Sequence, residues 1–147
     1  MWVWISIATA IAVGFLGWTL VRRFGDGRLE AFNDQRRATS RVVGRGEFVD
    51  GNRHIPVALA VTQSTFFYEN GDMQASLDLH WVREIEYDTE LATGTTPPSG
   101  KVLRLRTSSQ TFEFVLPAGT VARWHMMLPP RRLNERAIGL PQAVAAS

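Results

Sequence analysis

The side chains of this sequence best suited to acid–base or metal chemistry are three histidines, His54, His80 and His125, and an acidic row, Glu84, Glu86, Asp88 and Glu90. Catalysis or metal binding needs such groups to converge, as in H-x-x-x-H on a helix or a nucleophile beside a base. The histidines are far apart in the sequence and form no such pair. The carboxylates alternate, which on a strand sets them along one face, and a row of that kind reads as a solvated face. Gly44-Arg45-Gly46 is not followed by a helical pattern, so it lacks the setting of a phosphate loop. Cysteine is absent, which excludes thiolate nucleophiles, cysteine-held zinc, iron–sulfur clusters and disulfides. The expectation is a non-enzymatic chain with no catalytic residue, no cofactor and no metal.

The 147 residues are 45% apolar and 20% charged, enough to fold one domain with a short appendage. The formal net charge is only +2, and its bias of arginine over the single lysine, Lys101, reads as the codon usage of a GC-rich bacterium rather than as a polyanion partner. No basic stripe with exposed aromatics is left once Trp81 and Trp124 are assigned to the core, so no nucleic acid is expected.

Charge is nevertheless segregated. Residues 2–21 form an apolar run whose polar side chains are Ser6, Thr9 and Thr19 and the indoles of Trp2, Trp4 and Trp18. As a helix with a rise of ~1.5 Å per residue, the run would cover ~30 Å, the thickness of a bilayer's hydrocarbon core. A cleaved secretory signal would need a basic start, a shorter apolar stretch and a small-residue cleavage site, and none is present. A buried core helix would need more partner surface than so small a domain offers. A transmembrane helix over 1–23 is expected. Arg22, Arg23 and Arg28 follow the run, and the positive-inside rule places the remainder in the cytoplasm of a bacterial inner membrane, with the N-terminus outside. Ser6, Ala10, Gly14 and Gly17 share one helical face that would let another helix approach closely, although small residues are common in membrane helices generally. The histidines all lie outside this run, so it offers no axial ligand to a haem.

Between Arg22 and Arg53 eight arginines face five acids. Arg22, Arg23, Arg28, Arg36 and Arg37 are the candidates for attraction to anionic headgroups, each worth ~1 kcal/mol at the membrane surface. Residues 24–40 read as a juxtamembrane segment, either a short amphipathic helix over 27–39 capped by Asp26, with Leu29, Phe32, Gln35 and Arg36 recurring, or a solvated linker.

Beyond Arg41 the period shortens to two, in runs rich in Val, Phe, Tyr and Thr separated by Gly, Asn, Asp and Pro. Strands are expected over 41–49, 55–62 and 65–69, the last closed by a turn at Asn70-Gly71-Asp72. Leu77, Leu79, Trp81, Ile85 and Tyr87 form an inward-facing series, interrupted by Arg83, where a corner or bulge belongs. Residues 93–100 read as an exposed loop. Strands over 101–107 and 110–116 point Leu103, Leu105, Phe112 and Phe114 inward. After Pro117 the period becomes helical through Val121, Trp124 and Leu128, and Pro129-Pro130 stops the helix. The domain therefore spans 41–130, and 131–147 reads as a tail.

The segments "ALAVTQSTFFYENG", "ASLDLHWVREIEYD" and "KVLRLRTSSQTFEFVL", followed by the helix bearing Trp124, resemble in their order and spacing the pleckstrin-homology (PH)-like superfamily, in particular its small bacterial and GRAM-type members, over residues 42–128. The resemblance implies a mainly β fold, a bent antiparallel barrel of about seven strands capped by one C-terminal helix. Trp124 and Val121 would then bury against Leu105, Phe112 and Phe114. The superfamily's scaffold serves lipid binding, peptide binding and assembly alike. Its basic headgroup signature reduces here to Arg45, Arg53 and His54, with Glu47 and Asp50 interleaved. The resulting expectation is an interaction or assembly module, an accessory subunit docked through helix and domain on a larger integral membrane complex, for example a respiratory or photosynthetic one. The alternative is a tethered sensor of anionic lipid.

Overall fold

The computed structural model describes residues 25–132. The transmembrane helix expected over 1–23, with Ser6, Ala10, Gly14, Gly17, Arg22 and Arg23, and residues 133–147 of the tail lie outside them. Among the described residues no helix is long and apolar enough to cross a membrane.

Residues 25–37 form α1. There follow β1 (Val42–Asp50), β2 (Arg53–Val61), β3 (Thr65–Glu69), β4 (Gln74–Asp78), β5 (Glu84–Asp88), β6 (Lys101–Arg106) and β7 (Thr111–Leu116), then a 3-10 turn at Ala118–Thr120 and α2 (Val121–Met127). The fold is mainly β. Its strands make one seven-stranded antiparallel sheet in the order β4-β3-β2-β1-β7-β6-β5.

β1 is the hinge of this sheet. It pairs along its whole length with β2, from Val42 opposite Val61 to Asp50 opposite Arg53, and only Glu47, Phe48 and Val49 pair with β7. Gly44 and Gly46 lie on its inner face. A Cβ on Gly46 would come within 2.7 Å of Leu59 Cδ1 and 2.8 Å of the Val115 carbonyl, and one on Gly44 would meet the Trp124 indole at 3.2 Å. Both glycines therefore permit close approach across the bend, a packing role rather than a phosphate-binding one.

The core lies on this inner side. Val57, Leu59, Val61, Phe66, Leu103, Leu105, Phe114 and Leu116 are fully buried, and Trp124 of α2 closes over them. Trp124 packs on Phe66, with ring centroids 6.2 Å apart, while Phe112 and Val121 are partly buried against the same cluster. The Tyr87 hydroxyl donates to the Leu128 carbonyl at 2.7 Å and fixes the end of α2, and burial raises the pKa of that phenol.

Several sequence expectations need correction. The sheet is not closed into a barrel: no ladder joins its edge strands β4 and β5. A turn over 79–83 separates them, with Asp78 Oδ1 accepting the His80 N–H at 2.9 Å. Backbone from beyond α2 enters the gap, where Arg131 and Ile85 exchange hydrogen bonds of 2.8 and 3.0 Å.

Trp81 is not in the core. It is 69% exposed and Val82 is buried instead, because the chain leaves the strand at Asp78, ahead of Leu79, and the phase of the alternation changes. Asp26 does not cap α1 but lies within it, and Asn33 is buried beside Leu29, with Phe32 and Arg36 partly buried, while Gln35 is exposed.

The loop after β5 is not simply exposed. Leu91 joins Val102 and Val115 in a second small core on the outer face, and Pro97 is buried as well.

Candidate functional site

Both faces of the sheet are covered. Along β2 the residues alternate Val57, Leu59 and Val61 inward with Ala58 and Ala60 outward, and the two alanines are buried too. Small side chains there let α1 lie close to the sheet. Leu29 and Asn33, one turn apart on α1, are buried. Arg36 lays its guanidinium 3.6 Å from the centroid of the Phe67 ring and donates from Nε to Glu69 Oε2 at 3.0 Å. The hydrogen bond to Glu69 raises the Arg36 pKa further. At the other end of α1, Arg45 of β1 reaches Glu30 at 3.0 Å and Asp26 at 3.5 Å. α1 is a strap held at both ends.

These contacts engage most of the arginines named from sequence. Arg36 is bound to Glu69, Arg37 pairs with Asp34 at 3.2 Å and Glu30 at 3.7 Å, and Arg28 lies against Gly71 of the β3–β4 turn. Of the possible headgroup residues, Arg45 is held by α1 and His54 pairs with Glu47 at 2.9 Å. The structure brings Arg36, Arg37, Arg45 and His54 to carboxylates of the same domain, whereas Arg28 and Arg53 are exposed and in no ion pair among the described residues.

The acidic row has a different role from the solvated face read in the sequence. Arg104 on β6, almost fully buried, donates to Asp88 at 3.0 Å, Glu86 at 3.2 Å and Glu113 at 3.1 Å, and to the Glu90 carbonyl at 2.9 Å. Glu113 in turn accepts the Ala92 N–H at 3.0 Å. The network staples the 89–100 loop onto the outer face. Burial opposes the Arg104 charge, but the hydrogen bonds it donates to Asp88, Glu113 and Glu86 outweigh it and raise its pKa. The Arg104 bond in turn holds the Asp88 carboxyl below the usual carboxylate range. Among the described residues no group of three or more His, Asp or Glu side chains could hold a metal ion. His80 pairs with Asp78 at 2.8 Å, and the His125 ring lies 5.0 Å from that of Tyr87.

Among the described residues a groove of about 430 Å³ lies where the β2–β3 turn, the 79–83 turn and the end of α2 meet. Val61, Leu79, Ile85, Met127, Leu128 and Pro129 supply apolar lining, and Arg41, Thr62, Gln63 and Ser64 a polar side. Trp81 follows groove-lining His80 in the chain, and Met126, 72% exposed, precedes Met127. Exposed tryptophan and methionine together are unusual on a free surface and frequent at interfaces. The sequence carried two signals for this site: the break at Arg83, and adjacent methionines on a helix too short to bury both. Comparison of the chain with protein-family models, with curated proteins and with solved structures finds no match.

Proposed function

We propose that this chain is a non-enzymatic, single-pass membrane protein of PH-like fold, whose cytoplasmic domain is an interaction module and which serves as an accessory subunit of a larger integral membrane complex. The observation that carries this reading is the strap. In the sequence the apolar run ends at residue 21, and α1 is described from residue 25 onward. From there the helix is clamped to the sheet by Leu29, Asn33, the Arg36–Glu69 pair and the Arg45 pairs. A domain whose first helix is clamped to its own sheet presents a fixed surface, which suits docking on a neighbour. A sensor that must search a lipid surface gains from a long flexible tether. Supporting the PH-like description are two meanders, β1–β4 and β5–β7, joined through β1 and β7 at the bend, and a helix bearing Trp124 packed on the inner side.

Pairing of Arg36, Arg37 and Arg45 with carboxylates of the same domain also reduces the charge available to anionic lipid. The test is the native mass and composition of the particle containing this chain, extracted from its own membranes in mild detergent. A large particle of fixed stoichiometry is expected. A monomer or homodimer would overturn the subunit reading and favour the lipid sensor.

A further inference from the structure

We infer that the groove between the β2–β3 turn and the end of α2 is the docking site for a short, mainly apolar segment of a partner protein that carries a carboxylate to meet Arg41. The inference rests on the interaction-module reading above and names the surface and the chemistry of what it takes.

The groove's size, about 430 Å³, falls in the ~300–1,000 Å³ range of clefts that enclose a few side chains rather than a whole domain. Its floor is apolar, from Val61, Leu79, Ile85 and Leu128, and Met127 supplies an adaptable wall. Its charge has one sign. Arg41 and Arg131 line it, and no carboxylate does. The Arg131 side chain is directed to the carbonyls of Leu79 and Val82. The nearby acid Asp78 is engaged by His80.

Among the described residues Arg41, Arg53 and Arg83 are exposed arginines outside the ion pairs, and of these Arg41 lines the groove. Its backbone N–H is fixed to the Val61 carbonyl at 2.7 Å, and its exposed side chain has no ion-pair partner among the described residues. An exposed cation at the edge of an apolar groove favours an occupant that is apolar with one negative group, because such a charge contributes to orientation as well as attraction. Trp81 and Met126, exposed and next in the chain to groove-lining His80 and Met127, are candidates for cover by the flanks of the same segment.

The experiment places the photo-crosslinker p-benzoylphenylalanine in place of Met127 in the full-length chain, in its own membranes. The control carries it in place of Ser109, in the β6–β7 turn and outside the groove. The expected result is one major product from position 127 and none from 109. Its partner peptide, read by mass spectrometry, should be apolar with an Asp or Glu. Arg41→Glu should lower the yield at least ~10-fold and Arg41→Gln by less, both without moving the thermal transition, since Arg41 is exposed. Cross-links only to lipid, to a second copy or within the same chain would overturn the inference, as would no cross-link or a yield indifferent to Arg41→Glu. Native mass measured on the same membranes separates the failures. A large particle without the cross-link sinks the groove alone, whereas a small particle sinks the subunit reading and the groove with it.

Discussion

The carboxylate of Glu69 on β3, buried at the sheet surface, accepts hydrogen bonds from both Nε and Nη2 of Arg36 on α1, 33 residues earlier in the chain. The two groups join the helix next to the apolar run to the sheet that carries the groove. Both oxygens of Glu69 are engaged by one planar guanidinium, a geometry lysine cannot reproduce. Glu69→Ala should therefore loosen α1 before it loosens the sheet. The Arg36 side chain is 30% exposed, which discounts the pair to about 1–2 kcal/mol. Amide exchange should accelerate across 25–37 and stay unchanged in β5–β7, and a uniform change would refute the strap.

Gly46 and Gly44 should respond differently to the same substitution. In Gly46→Ala the new methyl meets a backbone carbonyl at 2.8 Å, which cannot yield without moving β7. Gly44→Ala meets only the edge of the Trp124 indole, at 3.2 Å. A cost of about 2–3 kcal/mol is expected for Gly46→Ala and less for Gly44→Ala, as measured by urea unfolding in detergent. Equal costs would refute the account of β1 as a tight bend.

The two tryptophans of the domain should separate cleanly. Trp124→Ala removes a fully buried ring and should cost about 3–5 kcal/mol. Trp81→Ala removes an exposed one and should change stability by less than about 0.5 kcal/mol. Thermal unfolding of the two variants decides this, and a large loss from Trp81→Ala would put Trp81 back in the core.

Acid should release the 89–100 loop. The Asp88 pKa is lowered in the folded state, first by the hydrogen bond from Arg104 and then by the backbone N–H groups of Thr89 and Glu90. A lowered pKa stabilises the fold above the unfolded value of about 3.9 and ceases to do so as pH falls through the folded value. Protection of the Leu91 N–H, bonded to the Thr95 carbonyl at 2.9 Å, should hold from neutrality to about pH 4 and fall below it. Arg104→Leu should remove that pH dependence, and protection that instead fell near neutrality would implicate other groups.

The sequence by itself determined the strands, the inward rows and the two ends of the fold. Alternation through Val57, Leu59 and Val61, and through Leu103 and Leu105, has a period that only a strand satisfies, and Pro129-Pro130 cannot continue a helix. Those signals are local, so they survive in the linear order. It also carried the helical stripe of Leu29 and Phe32, but not what that stripe packs against.

Tertiary structure alone decided what lies on the outer face of the sheet. Ala58 and Ala60 look like unremarkable outward positions until α1 covers them, and Glu86 and Asp88 read as part of a solvated row until Arg104 is buried between them and Glu113. These contacts join residues whose separation in the chain carries no periodic trace. The groove follows the same rule. It exists because the sheet stays open between β4 and β5, which depends on where the turn after Asp78 sends the chain and on Arg131 filling part of the gap.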